Sequence, residues 1–269
     1  MLSVLKIGGS VLRDDASYAT AARFLADRLA ADPDERLVVI VSAQHGTTDA
    51  LLAEARAIVS APPQAEAQCS GPDEAALDLL WSTGELRSVA ILALHLHRIG
   101  TRAVPFNVHQ TGLVADRVSG TTVRPLRLLA ALGSARIVIV PGFLGVSAGG
   151  AVTSLGRGGS DLTAVLLASA IRADACELIK DVPGYFTTDP HRDVEALPIH
   201  DLSINAALRM ADEGCDLVQR AALAAAAHAA LHLVVRSMDA AAPITHVHSS
   251  RSSHGVRHED HSRRAAVRA

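Results

Sequence analysis

The chain has 269 residues, 49% hydrophobic and 20% charged, with a formal net charge of −3. That supports one large α/β domain or two small ones, and it leaves no basic field to hold nucleic acid or an anionic membrane. No apolar run reaches the roughly 18 residues of a membrane span and no signal-peptide pattern opens the chain, so a cytoplasmic protein is expected.

"LSVLKIG" (2–8) is a short Val/Leu/Ile run closed by glycine and reads as a buried strand. It runs into "KIGGS", where Gly8 and Gly9 allow a tight turn and a close approach of backbone N–H groups to a phosphate. Lys6 stands at the strand's C-terminal end, the edge at which open α/β sheets bind ligands. Of the 25 Lys and Arg residues only Lys6 and Lys180 are lysines. In so arginine-rich a chain, a surviving lysine suggests a site that needs a compact ammonium. The glycine pair alone matches neither a Walker A loop nor a Rossmann fingerprint. Helical periodicity over 17–31 leads to the strand "RLVVIVSA" (36–43). "SAQHGTTD" (42–49) follows, with Thr47, Thr48 and Asp49 as capping candidates for a helix over 48–60. "APPQAEAQCSGP" (61–72) reads as a loop or linker. The helical stretch 74–99 contains "WSTGE" (81–85), in which Gly84 stands beside an acid. By itself Glu85 reads as a surface charge and Trp81 as core.

Strands "TRAVPFNV" (101–108) and "ARIVIVPGF" (135–143) flank a helical segment at 122–133. "GRGGSD" (156–161) opens a helix over 161–172, with Ser160 or Asp161 as its cap and the free N–H groups of its first turn as an anion site. Arg157 adds a fork suited to a carboxylate or phosphate. An ordinary capped turn accounts for Ser160 and Asp161, but not for Arg157 among three close glycines. The strand "ACELIKDV" (175–182), the polar loop "DPHRDVEALPIHD" (189–201), a helical segment at 203–228 and the strand "LHLVVRS" (231–237) complete the pattern. Near-continuous apolar strands alternating with helices predict a largely parallel sheet covered on both faces. Residues 1–245 are expected to form the domain. From 246 the chain turns into His, Ser and Arg without an apolar period and is expected to be a solvated, disordered tail, not a metal site. Cys69, Cys176 and Cys215 lie outside any CxxC spacing, which argues against structural zinc and a disulfide framework.

Five motifs in order, "KIGGS", "SAQHGTTD", "STGE", "GRGGSDLTA" and "KDVPGYFTTDPHR", resemble the amino acid kinase superfamily, and within it the catalytic domain of aspartokinases, over residues 2–238. The resemblance implies a three-layer αβα sandwich around a mainly parallel sheet of about eight strands. It also implies transfer of the γ-phosphoryl of ATP to an amino-acid side-chain carboxylate, with Mg²⁺ bridging the phosphates, and a possible homodimer. On this resemblance Lys6 contacts the migrating phosphoryl, with Gly8, Gly9 and Ser10 around it. Arg157 grips the substrate α-carboxylate. Glu85, helped by Asp161, pairs with the α-ammonium. Ser42, Thr48 and Ser160 position the acceptor carboxylate, and Asp181, Phe186, Asp189 and Arg192 line the nucleotide pocket.

Two departures stand out. Asp216 occupies the place of a family lysine that touches ATP phosphates, and a like charge there opposes binding by about 1–4 kcal/mol. Lys180 replaces the family's threonine before "DV". Lys180 is therefore expected either to relocate the missing cation, pairing with Asp216, or to end a strand with its ammonium in water. His191 is inserted before Arg192, which loosens that arginine's assignment. Aspartokinases usually continue into ACT domains, so ACT-type feedback control is not expected of this chain. L-Aspartate is the leading substrate. The alternatives are another carboxylate metabolite of specialised biosynthesis and a kinase-like binding protein with weakened turnover.

Overall fold

The computed structural model describes residues 1–60, 72–116, 120–156 and 158–249. In chain order the elements are β1 (Leu2–Ile7), α1 (Asp15–Ala31), β2 (Arg36–Val41), α2 (Thr47–Ser60), α3 (Glu74–Arg98), β3 (Ala103–Pro105), β4 (Leu113–Asp116) and β5 (Gly120–Val123). They continue with α4 (Leu126–Leu132), β6 (Ile137–Pro141), β7 (Leu144–Val146), β8 (Val152–Ser154), α5 (Gly159–Ile171), β9 (Ala175–Ile179), β10 (Tyr185–Phe186) and β11 (Pro198–Ile199). The last are β12 (Asp201–Ser203), α6 (Ile204–Asp212), α7 (Arg220–His228), β13 (Leu233–Arg236) and β14 (Thr245–His248).

Eight strands form one sheet in the order β12-β14-β13-β9-β1-β2-β6-β3, and all its pairings are parallel except β13 with β14. Period-2 alternation divides its apolar side chains between two cores. Val4, Val38, Ile40, Val138 and Val140 pack on one face with Ala164, Leu167 and Ala168 of α5 and Ala222 and Leu223 of α7. Leu5, Ile7, Val39, Val41 and Ile139 pack on the other with Tyr18, Ala22 and Leu25 of α1 and Val89, Leu92 and Leu96 of α3. The expected three layers are thus formed. Among the described residues no helix is long and apolar enough to cross a membrane.

The structure also corrects the sequence reading. A second sheet, β5-β4-β7-β8, takes residues 120–123 into a strand, and α4 starts only after Pro125. The strand at 101–108 shrinks to β3 and ends in a 3-10 turn at Val108–Gln110. The Pro-punctuated loop at 189–201 contributes β11 and the start of β12. The helical segment 203–228 splits into α6 and α7, with Gly214 between them in the left-handed region (φ +101°). β14 carries the sheet through the expected boundary at 246, because Val247 between two histidines is fully buried. A single apolar residue is too short a signal for a period. The linker at 61–71 and residues 250–269 lie outside the described residues.

Candidate active site

β1, β2, β6 and β9 run parallel, and the chain leaves β1 for β2 on one side and pairs with β9 on the other. The crevice at their C-terminal ends is therefore a topological switch point, where open α/β sheets take ligands. Lys6 shares the parity of Val4 on β1, which turns it toward α5. Lys6 pairs with Leu178 in register, so Lys180, two residues further along, faces the same side. Both ammoniums meet one carboxylate. Lys6 Nζ lies 2.8 Å from Asp161 Oδ1, and Lys180 Nζ donates to Asp161 Oδ2 at 2.8 Å. The backbone N–H of Gln219, just before α7, approaches the same Oδ2 at 3.4 Å.

Burial works to raise the Asp161 pKa, but the two lysines outweigh it and hold the carboxylate down to about 2. The Lys180 pKa is lowered to about 8, first by burial and then by repulsion from Lys6, against the pull of Asp161. The expected contact between Lys180 and Asp216 is not formed, and the Lys180 side chain is only 11% exposed, so its ammonium is not simply in water. A buried carboxylate between two cations is the better partner than a solvated acid on a neighbouring loop. Nor do Ser160 and Asp161 cap α5. The N-cap is Gly158, in the left-handed region, and both residues lie inside the first helical turn.

A cavity of about 820 Å³ opens on this triad and is lined by Lys6, Gly9, Ser10, Ser42, Thr48, Glu85, Ser160, Asp161 and Lys180. The structure thus brings nine residues singled out in the sequence to one space. Glu85 is 3% exposed, not a surface charge. A Cβ on Gly84 would lie 3.0 Å from Ala43 Cβ and 3.2 Å from Thr47 Cγ2. The bare glycine in mid-α3 therefore lets the 43–47 loop close against the helix and buries the next residue. Ala43 N–H donates to Glu85 Oε1 at 3.3 Å, and Oε2 is buried with no partner. Burial raises the Glu85 pKa to about 7, partly offset by backbone hydrogen bonds. Trp81, one turn earlier, is half-buried wall rather than core. It lines the cavity edge-on to Phe143, with centroids 5.7 Å apart, and its indole N–H is unpartnered. The i, i+4 spacing from Glu85 was the signal that could have found it.

A second cavity of about 500 Å³ is lined by Asp181, Phe186, Asp189 and Asp216, and it shares Ser10 and Lys180 with the first. Ser10 Oγ donates to Asp181 Oδ1 at 2.9 Å, fixing the shared wall. Arg192 does not line this cavity. Its guanidinium is 87% exposed and pairs with Asp189 at 3.3 Å, as the inserted His191 foreshadowed. Gly8 turns the chain beside Lys6, but its N–H is already given to Ile179 O at 3.3 Å, so it is not a free donor. Arg157 lies outside the described residues, between Gly156 and Gly158, both of which line the larger cavity.

A parallel sheet sandwiched by helices thus carries two lysines on one buried carboxylate, and Lys180 is shared by two adjoining cavities. The chain belongs to the amino acid kinase family, whose pattern it matches over residues 1–237. Among characterised relatives it is similar to the aspartokinase of Thermus thermophilus, 36% identical over 88% of this chain and 56% of that one. It is also similar to the aspartokinase of Geobacillus stearothermophilus, 38% identical over 75% of this chain and 48% of that one. The chain thus spans about half the length of these relatives. Its structure superposes on aspartate kinase from Synechocystis with a TM-score of 0.78 at 31% identity, covering 93% of this chain and 40% of the other. Superposition on E. coli aspartokinase III in complex with aspartate and ADP gives a TM-score of 0.75 at 27% identity, covering 93% and 65%.

Proposed function

We propose that this chain transfers the γ-phosphoryl of ATP to the side-chain carboxylate of an amino acid, most simply L-aspartate, giving 4-phospho-L-aspartate and ADP. The observation that carries this reading is the Lys6–Asp161–Lys180 cluster at the wall between two cavities. Two ammoniums around one carboxylate leave net positive charge where an anionic phosphoryl group would cross from one chamber to the other. A relative solved with aspartate and ADP together supports the assignment of the two chambers.

In this reading the acceptor carboxylate attacks phosphorus. One P–O bond forms as the bond to the ADP oxygen breaks, and Lys6 and Lys180 neutralise the charge spread over the equatorial oxygens. A carboxylate is already a nucleophile at pH 7, so no general base is required. Asp161 orients the two ammoniums and takes no proton, since its pKa lies near 2. Glu85, in the larger chamber, takes the substrate α-ammonium. Arg157 takes its α-carboxylate, and Ser42, Thr48 and Ser160 hold the acceptor group. Ser10 and Asp181 stand at the nucleotide side with Phe186 and Asp189. Mg²⁺ brought in with the nucleotide would supply further charge neutralisation. A homodimer fits the exposed apolar residues Leu94 and Ile99 at the end of α3, and a cytoplasmic location fits an ATP-dependent reaction.

Trapping acyl phosphate with hydroxylamine, in the presence of ATP, Mg²⁺ and a panel of amino and dicarboxylic acids, tests the proposal. Hydroxamate with aspartate supports it, and hydroxamate only with another acid reassigns the acceptor. ATP binding without hydroxamate from any acid overturns it.

A further inference from the structure

The larger cavity reaches well past the groups that would hold aspartate. On α3, Glu85, Trp81 and Leu77 recur at every fourth residue and all line it, so one helix face runs along the chamber for about 12 Å at 1.5 Å per residue. On α2, Thr48, Leu52 and Arg56 do the same. A Cβ on Gly84 would lie 3.2 Å from Thr47 Cγ2 and 3.7 Å from Leu51 Cδ1, so the two stripes start side by side, with Glu85 and Thr48 at the inner end. Going outward, both turn apolar. Leu52, Leu77 and Trp81 are half-buried, and Arg56 beyond them is exposed. Phe143 adds a further wall, edge-on to Trp81. Its backbone is left-handed (φ +69°), a conformation that a bulky residue adopts only where its surroundings impose it. Here its N–H donates to Thr163 Oγ1 at 3.1 Å and its carbonyl accepts from Leu155 N–H at 2.8 Å.

We propose that the acceptor is an aspartate-type amino acid extended at its α-carboxyl group by an amide-linked unit with an apolar side chain and a terminal carboxylate, as in an N-terminal aspartyl dipeptide. This rests on the proposed function and narrows its substrate. Free aspartate has a single methylene, and its three charged groups are all met at the inner end of the chamber. It would leave most of the cavity of about 820 Å³, and the apolar walls of Leu52, Leu77, Trp81 and Phe143, to water. An extension fills that outer half. Glu85 decides which end carries it, because an acyl group on nitrogen would remove the ammonium that the buried carboxyl is placed to meet. Extension at the carboxyl end keeps that ammonium, and Arg157 then meets a carbonyl oxygen in place of a carboxylate oxygen. The Trp81 N–H is shut off from solvent without a partner, and the carbonyl of the extending unit gives it an acceptor once the indole tilts outward. Arg56, two turns beyond Thr48, suits the terminal carboxylate. The transfer is unchanged: the free side-chain carboxylate attacks phosphorus and ADP leaves.

The test compares α-aspartyl-leucine, N-acetyl-aspartate and aspartate in hydroxylamine trapping with ATP and Mg²⁺. The dipeptide should exceed aspartate in kcat/KM by about tenfold or more, and the N-acetyl compound should fall below both. Trp81→Leu and Arg56→Ala should each lower kcat/KM for the dipeptide about tenfold more than that for aspartate. Trp81→Phe, which keeps an aromatic wall and loses only the N–H, gives the same comparison should the leucine variant fold poorly. Trp81 is the chain's one tryptophan, so its emission reports directly on the outer half of the chamber. Titration without ATP should give a saturable change with the dipeptide at lower concentration than with aspartate. Hydroxamate from aspartate with a dipeptide that is no better, or a better N-acetyl compound, overturns the extension and leaves the kinase reading standing. Hydroxamate from no acid sinks the kinase reading, and the emission titration then decides the extension alone: no saturable change with the dipeptide overturns it.

Discussion

Replacing Glu85 by glutamine should stabilise the fold above neutral pH while removing the grip on the amino-acid substrate. The carboxyl is 3% exposed, has one oxygen without a partner, and keeps its proton up to about pH 7. In the unfolded chain it ionises near its ordinary value of 4.5. A raised carboxyl pKa means that the folded state holds the proton while the unfolded state releases it. Stability is then full below about pH 4.5, falls as pH rises toward 7, and is level above. At 1.36 kcal/mol per pH unit, the gap between 4.5 and about 7 corresponds to a loss on the order of 3 kcal/mol. The amide does not ionise and escapes this loss, and its oxygen still accepts from Ala43 N–H. Urea unfolding at pH 5 and pH 8.5 measures the difference. The variant should match the wild type at the lower pH within about 1 kcal/mol and exceed it by about 2–3 kcal/mol at the higher. On the proposed function, kcat/KM for aspartate should fall at least 100-fold, because the α-ammonium would lose its counter-charge in a desolvated site. A stability difference that does not change with pH would refute the reasoning, since it would mean that Glu85 ionises as an exposed carboxylate does.

Further outcomes follow from the lysine pair and from Glu85. The Lys180 ammonium is lost as pH rises through about 8, so kcat/KM for ATP should decline above that pH, and the decline should vanish in Lys180→Arg, whose guanidinium stays charged. Wild-type kcat/KM for aspartate should also rise through pH 7 as Glu85 ionises, which separates the two groups in one pair of pH profiles. Asp161→Asn leaves two buried ammoniums without their partner. Thermal unfolding should show a loss of about 3 kcal/mol, and hydroxamate formation should slow at least 100-fold. On the proposed function, Lys180→Thr should raise the KM for ATP, and adding Asp216→Lys should restore much of the loss, because the second change returns a cation to the smaller cavity from its other wall. No recovery in the double variant would show that position 216 cannot reach the phosphates.

Much of the scaffold was legible because strongly buried parallel strands and long helices write their period over many residues. β1, β2, β6 and β9 fall where the Val/Ile runs stand; three of the five motifs follow β1, β2 and β9 directly, while "STGE" lies within α3 and "GRGGSDLTA" opens α5. The strands of the second sheet were not legible: β7 and β8 have three residues each, too few for a period, and their pairing is set by partners elsewhere in the chain. The break between α6 and α7 was hidden by an alanine-rich sequence with high helix propensity. What overrides that propensity is tertiary: the turn after Gly214 brings the Gln219 N–H to Asp161. Glu85 looked like a surface acid because its burial depends on a loop 42 residues earlier closing on Gly84.

The two departures at Lys180 and Asp216 are the part of the site in which sequence and structure explain each other. Sequence parity shows that Lys180 could face the same side as Lys6, but only the β1–β9 register makes the two converge on one carboxylate. Once they do, a lysine at 216 would be a third cation beside an already depressed Lys180, and each added like charge would push that ammonium further toward its neutral form. An acid at 216 adds no such repulsion. On the proposed function, Lys180 at the end of β9 then supplies the second phosphoryl-facing cation, the one that the resemblance expects from the loop before α7.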